Sequence, residues 1–134
     1  MRPIAIFLLL FVSCSIQAQD SLIRKSIYFG GGSYYIDHQQ IQEMSDFIDK
    51  VEKIENYEVV IFSHTDNIGG REYNEWLSKM RSEAVMHQLI LKGIPQELMQ
   101  VKDMGQENPL YTNRSYGGRG MNRRVDIILA PLVF

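Results

Sequence analysis

Cysteine is almost missing from this chain. Cys14 is the one thiol in 134 residues, so no internal disulfide supports the fold. Long apolar runs are also missing once the first residues are passed. No later run reaches the roughly 18 residues that a bilayer-spanning helix needs. Positive charge is not in excess: the formal net charge is −2, which argues against general nucleic-acid binding. Histidine is scarce, with only His38, His64 and His87. A zinc enzyme needs three well-placed ligands and an open position, and His64-x-Asp66 alone is too little. Ser63, Ser78 and Ser115 have no histidine and acid beside them in a recognisable nucleophile motif. There is no internal repeat. These absences leave non-catalytic binding, without metal or cofactor, as the simplest chemistry.

What is present begins with Met1-Arg2-Pro3, a short basic start, followed by an unbroken apolar run from Ile4 to Val12. Ser15-Ile16-Gln17-Ala18 then supplies a small residue for cleavage. The pattern predicts a secretory signal peptide over residues 1–18. Phe11-Val12-Ser13-Cys14 also resembles a bacterial lipobox loosely, so the alternative is a lipid anchor at Cys14. Residues 19–25 are expected to be a short polar lead-in, and 26–134 one domain.

Within that domain, Ser26-Ile27-Tyr28-Phe29 predicts a strand that stops at Gly30-Gly31-Gly32. Ile41, Met44, Ile48 and Val51 recur at helical spacing from Asp37, a plausible N-cap, to about Ile54. Tyr57 to Phe62 holds a continuous apolar run, as expected for a central strand or one covered on both sides. A second helix follows from about Arg71 to Lys92. Its apolar face is read as Tyr73, Leu77, Met80, Ala84 and Leu91, widened by Trp76, Val85 and Leu89. Tyr73, Trp76, Leu77 and Met80 are read as core. Gly93-Ile94-Pro95 stops this helix. Leu98 to Met104 predicts a third strand, and Arg123 to Leu129 the last. Between them Gly105 to Met121 reads as a loop long enough to suggest function or a short helix. The order β-α-β-α-β-β implies an α/β (α+β) chain.

The stretch from Ser63 to Arg81 draws the eye for chemistry. Asp66 sits in a glycine-containing turn at a strand end, where open sheets commonly bind ligands. Asn74, Ser78 and Arg81 lie at i, i+4 and i+7, one stripe of a helix. A carboxylate and a guanidinium so placed suit a zwitterion: one holds an ammonium, the other a carboxylate. The same two residues can instead pair with each other. His64 is expected to brace the strand end through a hydrogen bond. Arg114, Arg119, Arg123 and Arg124 form the one basic cluster. On a strand, Arg123 and Arg124 must point to opposite faces, one toward a pocket and one toward an acid on the far side.

His64-Thr65-Asp66-Asn67-x-Gly69, then Tyr73-Asn74-x-x-Leu77-Ser78-x-x-Arg81, resembles the signature of the OmpA-like peptidoglycan-binding domain. Gly93-Ile94-Pro95 and Gly118-Arg119-x-x-Asn122-Arg123-Arg124-Val125 resemble its later blocks. The resemblance spans about Ser26 to Leu129. It implies a two-layer sandwich, with a mixed sheet carrying two main helices on one face. It implies non-covalent binding of peptidoglycan through the meso-diaminopimelate of the peptide stem, in the periplasm or at the outer membrane, with outer-membrane proteins as further partners. Carried over residue by residue, it implies that Asp66 and Arg81 bind the ligand, with Asn74, Arg123 and Thr65 beside them. The family's first loop usually carries an acidic or amide side chain. Here Gly30-Gly31-Gly32 stands instead, so contacts there fall to the backbone of Gly31 and Gly32. Ser63, Asp103 and Gln106 also depart from the usual residues. The resemblance implies a stand-alone secreted member that is not an enzyme. The alternatives are an envelope protein–protein module with a degenerate pocket and, less favoured, a cell-wall hydrolase.

Overall fold

The computed structural model describes residues 23–133; the expected signal peptide, its cleavage site and Cys14 lie outside the described residues. Four strands and three α-helices follow in the order β1 (Ile23–Tyr28), α1 (His38–Asp49), β2 (Tyr57–His64), α2 (Arg71–Leu91), β3 (Met99–Gly105), α3 (Tyr116–Asn122) and β4 (Arg124–Pro131). The sheet order is β1-β4-β2-β3. β4 runs antiparallel to both of its neighbours, and β2 runs parallel to β3. A parallel pair needs a crossover, and α2 supplies it.

The continuous apolar run of β2 lies centrally, between β3 and β4. Val59 and Ile61 align with Leu129 and Ile127 of β4. All four are fully buried with Ile27, Val125, Met44, Ile48, Val85 and Leu89 in one core beneath α1 and α2. Alternate residues of these strands face the opposite side, as the period of two requires.

α1 starts where expected. The Asp37 carboxylate accepts from the Gln40 amide, and the Gln40 side chain accepts from the Asp37 amide, a reciprocal capping box. It ends at Asp49, short of Ile54, because Lys53 turns left-handed at φ 54° and a single 3-10 turn leads into β2. β1 begins at Ile23, three residues earlier than the sequence suggests. Arg24 and Lys25 pair with Ile128 and Ile127, and Arg24 reaches Asp126, so the described end of the polar lead-in, Ile23 to Lys25, is strand by tertiary pairing. α2 closes with Gly93 donating to Ile90 and Ile94 donating to Leu89, while the Ile94 side chain buries.

The long stretch after β3 contains α3. Ser115 caps it by accepting from the Gly118 amide. A Cβ on Gly118 would collide with the Thr112 carbonyl, so only glycine allows the loop to close on the helix. Asn122 is buried and ties the loop through Tyr111 and Asn113.

The inward face of α2 corrects the sequence reading. It carries Asn74, Leu77, Ser78, Arg81, Ser82, Val85 and Leu89. Tyr73 and Trp76 are 41% and 47% exposed rather than core. They join Tyr34 in a surface aromatic cluster, with Trp76 edge-on to Tyr34 at 6.0 Å. The first half of α2 meets the polar end of the sheet, so polar side chains turn inward there. No described helix is long and apolar enough to cross a membrane.

Candidate functional site

The register of β2 against β3 shifts between Ser63 and His64. Such an irregularity ends regular pairing and re-aims the residues that follow. The Thr65 amide donates to the Gly105 carbonyl at 2.8 Å, and its hydroxyl donates to the Asp66 carbonyl at 2.8 Å. Asp66 Oδ1 then accepts from the Ile68 amide at 3.0 Å, an aspartate turn that fixes the carboxylate. Its other oxygen accepts from Arg123 Nη1 at 3.2 Å. Arg123 Nε also donates to the Phe29 carbonyl at 3.3 Å.

Arg81 enters from α2 and is fully buried. Nε donates to the Ser33 carbonyl at 2.8 Å, Nη2 to Gly30 at 3.0 Å and Nη1 to His64 at 3.3 Å. Its guanidinium lies 5.1 Å from the Phe29 ring centre. A guanidinium has five N–H donors, so two remain free, one on each terminal nitrogen. Burial lowers its pKa to about 10; the Asp66 charge raises it, and Arg123 lowers it further. It stays a cation at neutral pH. Asp66 therefore pairs with Arg123, not with Arg81, while Arg81 clasps the glycine loop to the end of β2.

These groups share one cleft of about 250 Å³. Asp66, Arg81 and Arg123 supply one negative and two positive charges. Gly31, Gly32 and Gly69 form its lips, with Tyr73 and Leu77 as its wall. Tyr73 packs so closely under both glycine turns that a Cβ on Gly69, at φ 99°, would meet its ring at 2.6 Å. A Cβ on Gly32 would meet its hydroxyl at 3.2 Å. The glycines are thus needed for close approach of the loops to an aromatic wall. Tyr73 and Leu77 escaped the reading of the sequence as ligand residues. Their signal was the spacing 73, 77, 81, which puts them on one stripe with Arg81.

Two predicted residues are not in the lining. Asn74 is buried and donates to Gln106 Oε1 at 3.0 Å, while its own Oδ1 lacks a partner. Thr65 is spent on the backbone. The departures at 103 and 106 have structural uses: Asp103 accepts from Ser82 at 2.6 Å, and Gln106 accepts from Asn74.

β4 begins at Arg124, one residue later than expected, and Arg123 caps the end of α3 at φ −82° and ψ 72°. Arg124 nevertheless serves the opposite side from Arg123, and its Nε donates to both oxygens of Asp126. Ser26 and Arg24 also donate to Asp126. His64 lies on this far side. Its Nε2 is 4.0 Å from Asp126, too far for a hydrogen bond, and buried Nδ1 has no partner. The expected side-chain brace is absent; the His64 carbonyl, bonded to Arg81, does that work. Burial holds the His64 pKa below its ordinary value, and Arg124 lowers it further. Among the described residues no group of three or more metal-ligating side chains converges.

Comparison with known proteins gives these features relatives. The OmpA family matches residues 28–123. Over 74 residues the chain is 35% identical to the probable lipoprotein YiaD of Escherichia coli (strain K12), covering 55% of this chain and 34% of that protein. It is 36% identical over 69 residues to the peptidoglycan-associated lipoprotein of Pseudomonas aeruginosa, covering 52% of this chain and 41% of that one. The aligned parts are thus well under half the length of these relatives. The crystal structure of the peptidoglycan-associated lipoprotein from Burkholderia pseudomallei superposes with a TM-score of 0.68 at 28% identity, covering 78% of this chain and 89% of that one. The C-terminal domain of Helicobacter pylori MotB superposes at 0.70 and 23% identity over 81% of this chain and 86% of that one, and so has the same fold.

Proposed function

The chain belongs to the OmpA family, and from that premise we propose that it binds peptidoglycan without cleaving it, attaching to the wall within the cell envelope. We infer further that the recognised group is the free amino-acid end of meso-diaminopimelate in the stem peptide. The observation that carries this reading is the convergence of Asp66, Arg81 and Arg123 on one small cleft with glycine lips. Its volume suits an amino-acid head group rather than a whole ligand, since ordinary ligand pockets run from about 300 to 1,000 Å³.

In this reading the ligand ammonium takes the Asp66 oxygen that Arg123 now occupies. The released Arg123 meets a stem carboxylate. Arg81 offers its two free N–H groups from the cleft floor to the diaminopimelate carboxylate. Asn74 and Thr65 hold the walls in place rather than touching the ligand. Gly31 and Gly32 let the ligand lie close against the backbone. Export by residues 1–18, or anchoring at Cys14, would bring the domain spanning 26–134 to the wall; intact mass of the mature protein tells the two apart.

The test is co-sedimentation with insoluble sacculi. Wild type should pellet and Asp66→Ala should remain in the supernatant; equal pelleting would sink the cleft assignment. A second reading has its own observation. Asp66 is already paired with Arg123, and Arg81 already donates to three backbone carbonyls, as in a pocket closed upon itself. A protein–protein module of the envelope, with outer-membrane proteins as partners, would then use the surface instead. Titration with free meso-diaminopimelate that leaves the Asp66 and Arg81 resonances unmoved favours that reading.

A further inference from the structure

A larger concavity, about 740 Å³, opens beside the charged cleft and shares Gly31 and Gly32 with it. It runs between the loop before α1 and the middle of α2. Its floor is Ile36, Ile41 and Ala84; its walls are Tyr34, Tyr35, His38, His87 and Gln88. No carboxylate, ammonium or guanidinium side chain lines it. Tyr35 is 71% exposed, and Tyr34 stacks edge-on against Trp76. Two neighbouring concavities therefore differ completely in chemistry. One is small and charged; the other is three times larger, uncharged by carboxylate or strong base, aromatic and amide-bearing.

Peptidoglycan has the same division. Its stem peptide carries the charges, and its glycan is a chain of N-acetylated sugars whose lactyl carboxyl is consumed by the stem amide. A pyranose offers a face of C–H groups that packs on the partly negative face of an aromatic ring. Its acetamido and hydroxyl groups need mixed donors and acceptors, which tyrosine, imidazole and carboxamide provide. We propose that this groove is a subsite for the N-acetylated glycan from which the stem hangs. The proposal rests on the peptidoglycan reading above and extends it past the stem. The shared Gly31–Gly32 lip is the passage from one subsite to the other.

The test compares two probes by calorimetry: the free diaminopimelate-containing stem peptide, and the same peptide on its disaccharide. The disaccharide form should bind about tenfold more tightly, the order of effect expected of a stacked ring. Tyr35→Ala and His87→Ala, both at exposed positions, should abolish that gain and leave the free peptide's affinity unchanged. Equal affinity of the two probes for wild type, or a gain that survives both substitutions, overturns the subsite. A separate arm titrates N-acetylglucosamine trimer into the Asp66→Ala protein. If the stem peptide fails to bind at all, the cleft reading falls and this arm decides the groove. Resonance shifts at Tyr35, His87 and Gln88 sustain it, and no shift there overturns it.

Discussion

Two clusters of one carboxylate with arginines sit back to back at the same end of the sheet, and their residues are sequence neighbours. Asp66 with Arg123 and Arg81 forms the cleft. Asp126 with Arg124 and Arg24, near His64, forms the far side. Arg123 and Arg124 are adjacent, and His64 is two residues from Asp66. Yet the far cluster is closed. Asp126 accepts from Ser26, Arg24 and Arg124, and Arg124 lies over the Tyr111 ring at 5.5 Å. The cleft carboxylate is less engaged: Asp66 accepts from one side chain, Arg123, and from the Ile68 amide, while Arg81 donates only to backbone carbonyls. The two clusters differ in how fully the carboxylate is engaged by side chains, not in having charges.

Breaking the closed cluster should give the largest effect. Asp126→Ala leaves buried Arg124 without its carboxylate and should cost about 3–5 kcal/mol of stability. Urea denaturation reads this, while the fraction that remains folded should still pellet with sacculi. A loss below about 1 kcal/mol would mean that the far cluster is not closed as described.

Arg81→Leu should blur the contrast, because Arg81 belongs to both architecture and site. Three carbonyls lose their donor, costing roughly 2–3 kcal/mol after local rearrangement, and sacculus binding should fall as well. Intact stability in this variant would show that the clasp on the glycine loop is dispensable.

Asp66→Asn should sharpen the contrast. It keeps the acceptor for the Ile68 amide, so the melting temperature should barely move. Binding should weaken by about tenfold or more, the worth of a charge-assisted contact of roughly 1.5–3 kcal/mol. A large drop in melting temperature would make Asp66 structural, like Asp126.

The smallest effect is that of pH on the far side. His64 has a folded pKa lowered from 6.5, so below 6.5 the unfolded chain binds more protons. Its contribution is therefore complete above pH 6.5 and is lost as pH falls through the folded value. Melting curves between about pH 5 and pH 8 should slope more steeply in wild type than in His64→Gln. Identical slopes would remove His64 from the account.

Much of this arrangement was legible beforehand. Asn74, Ser78 and Arg81 fall on the buried stripe of α2 because helical period alone places them together. Arg123 and Arg124 do serve opposite sides as expected, but Arg123 caps α3 and only Arg124 is on the strand, so strand period is not the reason. The surface position of Tyr73 and Trp76 was not legible. Hydropathy put them in the core, but the polar end of the sheet demanded polar partners from that part of α2. α3 was legible only as an alternative that the length of the loop suggested, since Tyr116 to Asn122 holds three glycines and has poor intrinsic helix propensity. Ser115 and Asn122 hold it through contacts that no local pattern announces.

The chain by itself determined the order of the strands and the two main helices, which residues share a helix stripe, the family signature and the identity of the charged residues. Those are properties of short windows, governed by periods of 3.6 and 2. Only the tertiary structure decided which carboxylate meets which arginine. Asp66 and Arg123 are 57 residues apart, and Asp126 and Arg24 are 102 apart. Their pairing depends on sheet register and on the shift at Ser63, which bring distant segments together. The same geometry spends Arg81 on three carbonyls and leaves it two donors, because a buried guanidinium must satisfy itself with whatever the packed backbone presents.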